Sequence, residues 1–131
     1  MNPPSSVHIP FLAHLGIELL EESRERARIT LTLRPELLNS WGVAHGGVVM
    51  TMLDTAMGVA VRGHLGVACS VVTIDLSASF MNPARGPRID AEGRVLRGGR
   101  STFFCECEVR DEAGTLLAKA IGTFKPLEKR A

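Results

Sequence analysis

The sequence predicts an α+β fold: a curved antiparallel β-sheet wrapped around one long central helix. Three observations predict it. The run from about Gly46 to Gly63 is apolar on nearly every side and contains one acid, Asp54; a helix of that kind is normally buried. Four segments of alternating apolar and polar residues follow, joined by short connections, and short turns make antiparallel neighbours. No other large element is available to cover the helix, so the sheet must cover it. At 131 residues the chain is expected to be one domain, 1–131, burying roughly two-thirds of its unfolded surface.

Each element has its own signal. Residues 1–9 read as a loose terminus. Pro10 to Leu15 suits a short helical turn that Gly16 ends. Ala27, Ile29, Leu31 and Leu33 alternate with Arg28, Thr30, Thr32 and Arg34, a half-buried strand. The Gly46-Gly47 pair opens the long helix. Val72, Ile74, Leu76, Ala78 and Phe80 then alternate with Thr73, Asp75, Ser77 and Ser79. Asn82 to Pro87 is a loop. Ile89, Ala91, Gly93 and Val95 form the apolar face of the next strand, and Gly98-Gly99 turns the chain. Phe103, Cys105, Cys107 and Val109 line the following strand. Asp111 to Gly114 turns again, and Leu116 to Phe124 is the last strand.

Composition excludes several classes. A formal charge of +1 gives no reason to expect nucleic acid. Glycines and Asp54 interrupt the helix too much for a membrane span, and the first residues lack a signal-peptide pattern. A cytoplasmic protein is expected. Three cysteines do not suggest a disulfide framework. Cys105-Glu106-Cys107 lacks a second ligand pair, so no metal is expected and the two thiols read as small buried hydrophobes.

The candidate site residues cluster around the helix. A carboxylate in a buried helix is costly unless paired, protonated or used. Asp54 is therefore either a structural acid bonded to a hydroxyl such as that of Thr51 or Thr55, or a general base or nucleophile. Gly46 and Gly47 either permit a tight entry into the helix or let a ligand approach the backbone, with an N–H stabilising an oxyanion. His45 caps the helix or acts as a base, the cap being the better reading. Asn39 suits a turn and also suits orienting a water or carbonyl. Trp41 is a pocket wall or plain packing.

Spacing constrains the site further. Gly46 and Asp54 are eight residues apart, about 12 Å along a helix. One carbonyl needs both groups at roughly 3 Å. Two antiparallel helices across a two-fold axis meet that need, with the glycine end of one opposite the acid of the other. A single copy would also leave edge strands open. At least a homodimer is expected.

His45-Gly46-Gly47, with Asp54 nine residues after His45 and Asn39 six before it, resembles the hotdog-fold acyl-CoA thioesterases, most closely their phenylacetate-degradation branch. Phe80-Met81-Asn82-Pro83, Gly93-Arg94-Val95-Leu96 and Gly99-Arg100 also fit, so the resemblance covers about Pro10 to Pro126. It implies a sheet around a helix, dimers joined edge to edge and often homotetramers. It implies that Gly46 offers its N–H to the thioester carbonyl, that Asp54 of the partner is base or nucleophile, and that Asn39 positions carbonyl or water. His45 would support the loop and Thr73 would set a hydroxyl near the acid. Gly47, Arg85, Arg97, Arg100 and Ser101 would bind substrate, the arginines through coenzyme A phosphates. No separate cofactor is implied, since coenzyme A is part of the substrate. A second reading is an acyl-CoA-binding module that uses the same groove without turnover.

Overall fold

The computed structural model of the chain describes residues 8–127. Most of the expected loose terminus lies outside them. The described chain runs α1 (Pro10–Leu15), β1 (Glu18–Glu22), β2 (Ala27–Thr32), a 3-10 turn (Pro35–Leu37), α2 (Gly46–Leu65), β3 (Val71–Phe80), β4 (Arg88–Gly98), β5 (Phe103–Asp111) and β6 (Leu116–Pro126). The strands form one antiparallel sheet in the order β1-β2-β4-β5-β6-β3. It packs against α2, so the layer arrangement is the one expected.

Local chemistry explains the boundaries. Pro10 opens α1, where a missing N–H costs nothing. Gly16 closes it at φ 86°, a left-handed conformation that glycine adopts without penalty. The core joins Ile29 and Leu31 of β2 and Ile89 and Ala91 of β4 to Cys105, Cys107 and Val109 of β5 and Ala118, Ala120 and Phe124 of β6. Met52, Leu53, Ala56, Met57 and Val61 of α2 pack into it. The helix lies close against the sheet at Gly93, where an added Cβ would lie 2.6 Å from the Ala56 carbonyl oxygen. Register shifts in β1, β3, β4 and β6 are β-bulges or irregularities of the kind that bend strands.

Three features differ from the sequence reading. The first is β1, whose Glu-Leu-Leu-Glu-Glu does not alternate; it is an edge strand needing one neighbour, and its Glu22 is buried. The second is the facing of β3. Thr73 pairs with Phe124 and Asp75 with Thr123, leaving Ile74 without a partner on β6. That extra residue switches the alternation, so Val71 and Thr73 face α2 before the bulge and Leu76 and Ala78 after it. Val72 and Ile74 are exposed instead. The third is the helix, whose circumference is not wholly covered. Thr51, Asp54, Thr55, Gly58 and Val59 form a stripe that is only half-buried, because the curved sheet stops at its edges.

Candidate functional site

The segment before α2 is a fixed turn. Asn39 Oδ1 accepts hydrogen bonds from the N–H groups of Trp41 (2.9 Å) and Val43 (3.4 Å). Gly42 reverses the chain at φ 74°. The Ala44 N–H donates to the Ala84 carbonyl and the His45 N–H to that of Leu37, so the turn is held from both sides. His45 is the N-cap of α2, its Nδ1 accepting from the Gly47 N–H at 2.8 Å. That cap uses the Gly47 donor. The Gly46 N–H, first in the helix, has no intrahelical acceptor and no partner outside the helix among the described residues. The positive end of the helix dipole adds to its pull on an anion. Gly46 and Asn39 line one shallow pocket with Phe80, Met81 and Pro83.

Asp54 lies two turns further along α2, in a different hollow. Its Oδ1 accepts a 2.5 Å hydrogen bond from the Thr73 hydroxyl. The Thr51 hydroxyl, a candidate partner on sequence grounds, donates to the Gly47 carbonyl instead. Thr73 reaches the acid only because the β3 bulge turns it inward. The cavity beside this pair has a volume of about 730 Å³. It runs along the open stripe of α2, walled by α1, the two edge strands and the segment before β3, and its lining is mainly apolar.

Within one chain, then, Gly46 with Asn39 and Asp54 with Thr73 occupy separate pockets. The outer edges of β1 and β3 carry no strand among the described residues.

The candidate phosphate-binding residues also separate. Arg85 stands in the β3–β4 loop directly after Pro83 and Ala84, which line the Gly46 pocket. Arg97 lies at the end of β4, and Arg100 and Ser101 in the following turn. A Cβ added at Gly98, which ends β4, would lie 3.5 Å from His64 Nε2, so this turn sits near the C-terminal end of α2, about 30 Å from its start for a helix of this length. The three arginines are all exposed but do not form one patch in a single chain. Trp41 is 85% exposed, so it is not core packing here. Cys105 and Cys107 are buried as expected.

One pair went unread in the sequence. Glu22 of β1 and Arg62 of α2 form a buried double hydrogen bond, 2.8 Å on each side. Forty residues separate them, and no local pattern joins the two. The signal was an acid ending a strand and an arginine on an apolar helix. Arg62 lines the cavity on the Asp54 stripe.

Comparison with known proteins adds an independent line. The family model described as "Thioesterase superfamily" matches residues 42–118. The chain is similar to a medium/long-chain acyl-CoA thioesterase, YigI, of Escherichia coli, with 28% identity over 89% of this chain and 85% of that protein. A putative esterase of Halobacterium salinarum is 38% identical over 79% of this chain and 72% of its own length. The solved structure of a conserved Pseudomonas aeruginosa protein, PA5202, superposes with a TM-score of 0.88 at 27% identity, covering 94% of this chain and 98% of that one.

Proposed function

The chain belongs to the thioesterase superfamily, with the hotdog fold, and is a thioester hydrolase; on that premise we propose that it cleaves acyl-CoA to free acid and coenzyme A at a site shared by two copies of the chain. One observation carries the reading. A carboxylate held by a hydroxyl at 2.5 Å opens onto an apolar cavity, while a free helix-end N–H waits in a separate pocket about 12 Å along the same helix. A two-fold partner joins the halves. The open β3 edge, with Val72 and Ile74 exposed, supplies a surface for pairing. Two such dimers would make the tetramer common in this fold.

The chemistry follows from the parts. The Thr73 bond occupies one oxygen of Asp54, and the carboxylate orients and deprotonates a water. The hydroxide attacks the thioester carbonyl carbon. Charge builds on the carbonyl oxygen, which the partner's Gly46 N–H and helix end stabilise. The tetrahedral intermediate collapses, the C–S bond breaks and the thiolate of coenzyme A leaves, taking the proton. Asn39 holds the entry turn that aims Gly46, and His45 fixes the first turn of α2 through Gly47. Arg85, which follows Pro83 and Ala84 of the Gly46 pocket, would meet a phosphate there. The name of the Escherichia coli relative supports an alkyl acyl group.

Thiol release from a panel of acyl-CoAs tests this directly. Turnover is expected on at least one alkyl chain length. Binding without thiol release across the panel would replace the enzyme reading with a non-catalytic acyl-CoA-binding module. A single turnover in ¹⁸O-water separates base from nucleophile: label found in Asp54 would show that the carboxylate itself attacks.

A further inference from the structure

We propose that the cavity on the open stripe of α2 is a channel for an unbranched alkyl chain, with Gly58 keeping it open and the Arg62–Glu22 pair closing its far end. The proposal rests on Asp54 marking the thioester carbonyl. From there the stripe continues through Gly58 to Arg62 at successive fours, one face of a helix. Asp54 to Arg62 is about 12 Å. At an advance of about 1.25 Å per bond in an extended chain of ~1.52 Å bonds, that holds roughly nine or ten carbons.

Neither backbone conformation nor crowding among the described residues requires glycine at position 58. It is helical, where glycine costs about 1 kcal/mol relative to alanine, and an added Cβ would meet no heavy atom within 4 Å. Gly63 and Gly93 differ, since a Cβ at either would strike backbone at 2.5–2.6 Å. The missing side chain of Gly58 therefore leaves room in the cavity that this residue lines. At that end the ion pair is tightly made. Both oxygens of Glu22 are bonded to Arg62, so a chain that advances past Arg62 would have to displace a buried ion pair.

The test is Gly58→Leu, which suits a helix interior and should not impair folding. Gly58 lies about 6 Å from Asp54, room for about five carbons. Butyryl-CoA hydrolysis should stay within about twofold of wild type, while kcat/KM for decanoyl-CoA should fall about 10²-fold. Equal effects on both substrates, or none, would overturn the channel while leaving thioester hydrolysis standing. So would a wild type that prefers phenylacetyl-CoA to decanoyl-CoA. Calorimetric binding of the thioethers S-decyl-CoA and S-butyl-CoA reads the same channel without turnover, and so holds even if the hydrolysis reading fails. Wild type should bind the decyl compound at least about tenfold more tightly, and Gly58→Leu should lose that preference. No preference in wild type, or one retained in the variant, overturns the proposal.

Discussion

The Thr73 hydroxyl donates a 2.5 Å hydrogen bond to Asp54 Oδ1 because Ile74 bulges out of the β3–β6 ladder. Without that extra residue the alternation would turn Thr73 away from α2. One irregularity in an edge strand thus completes the acid's surroundings.

Asp54→Asn should lower kcat by about 10² to 10⁴, the usual cost of losing a general base, with the fold unchanged by circular dichroism. Thr73→Val keeps the shape and removes the donor. It should lower kcat by about tenfold or more, since a bond to a charged group is lost. Wild-type kcat in Asp54→Asn would remove Asp54 from the chemistry.

Mixing inactive chains tests the shared site. Asp54→Asn and Gly46→Val each spoil one half, and a Cβ at Gly46 meets nothing within 4 Å, so the second variant should fold. In a mixed dimer one site carries both lesions and the other neither. At equal input about a quarter of wild-type activity should return after random exchange. Mass spectrometry of tagged chains confirms exchange. Mixed dimers without activity would place the whole site within one chain.

Arg85→Ala should raise KM for acyl-CoA several-fold with little change in kcat, the signature of uniform binding lost. An acyl thioester of N-acetylcysteamine, which lacks the nucleotide, should be unaffected. Arg97→Ala with Arg100→Ala probes the far turn: a KM raised as much would show that a second copy brings that turn to the phosphates.

Glu22→Ala leaves Arg62 buried without its counter-charge. A loss of about 3–5 kcal/mol is expected, read from urea unfolding. Replacing both residues by apolar side chains should recover much of it, since the pair's desolvation cost disappears with its attraction.

Burial pushes the Cys105 thiol from 9.0 up to about 12, and that of Cys107 upward as well. The neutral thiol is the folded form, while the unfolded chain ionises at the ordinary value. This contribution is complete below about pH 9 and is lost as pH rises through the folded values. Unfolding free energy should fall by about 1.4 kcal/mol per pH unit for each thiol. The chain has no tyrosine to add to this limb; Lys119, held protonated by Glu108, acts in the same direction. Urea midpoints at pH 8, 10 and 11 should show the fall, and Cys105→Ala with Cys107→Ala should make it shallower, leaving the part due to Lys119 and to Cys69, whose thiol burial also raises.

The sequence by itself determined the long helix, four of the strands after it and the strand Ala27–Thr32. These follow from periodicity, which is local. It also determined the His45 cap and the separation of Gly46 from Asp54, because helical rise is fixed. Only the tertiary structure decided the rest. β1 is held by its neighbour rather than by alternation. Thr73 turns inward through a bulge set by pairing with β6. Glu22 finds Arg62 across forty residues. Arg85 parts from Arg97 and Arg100 because β4 carries them to opposite ends of α2. The cavity beside Asp54 exists because a curved sheet of six strands stops short of closing around the helix. Each depends on which distant segments become neighbours, and no window of adjacent residues records that.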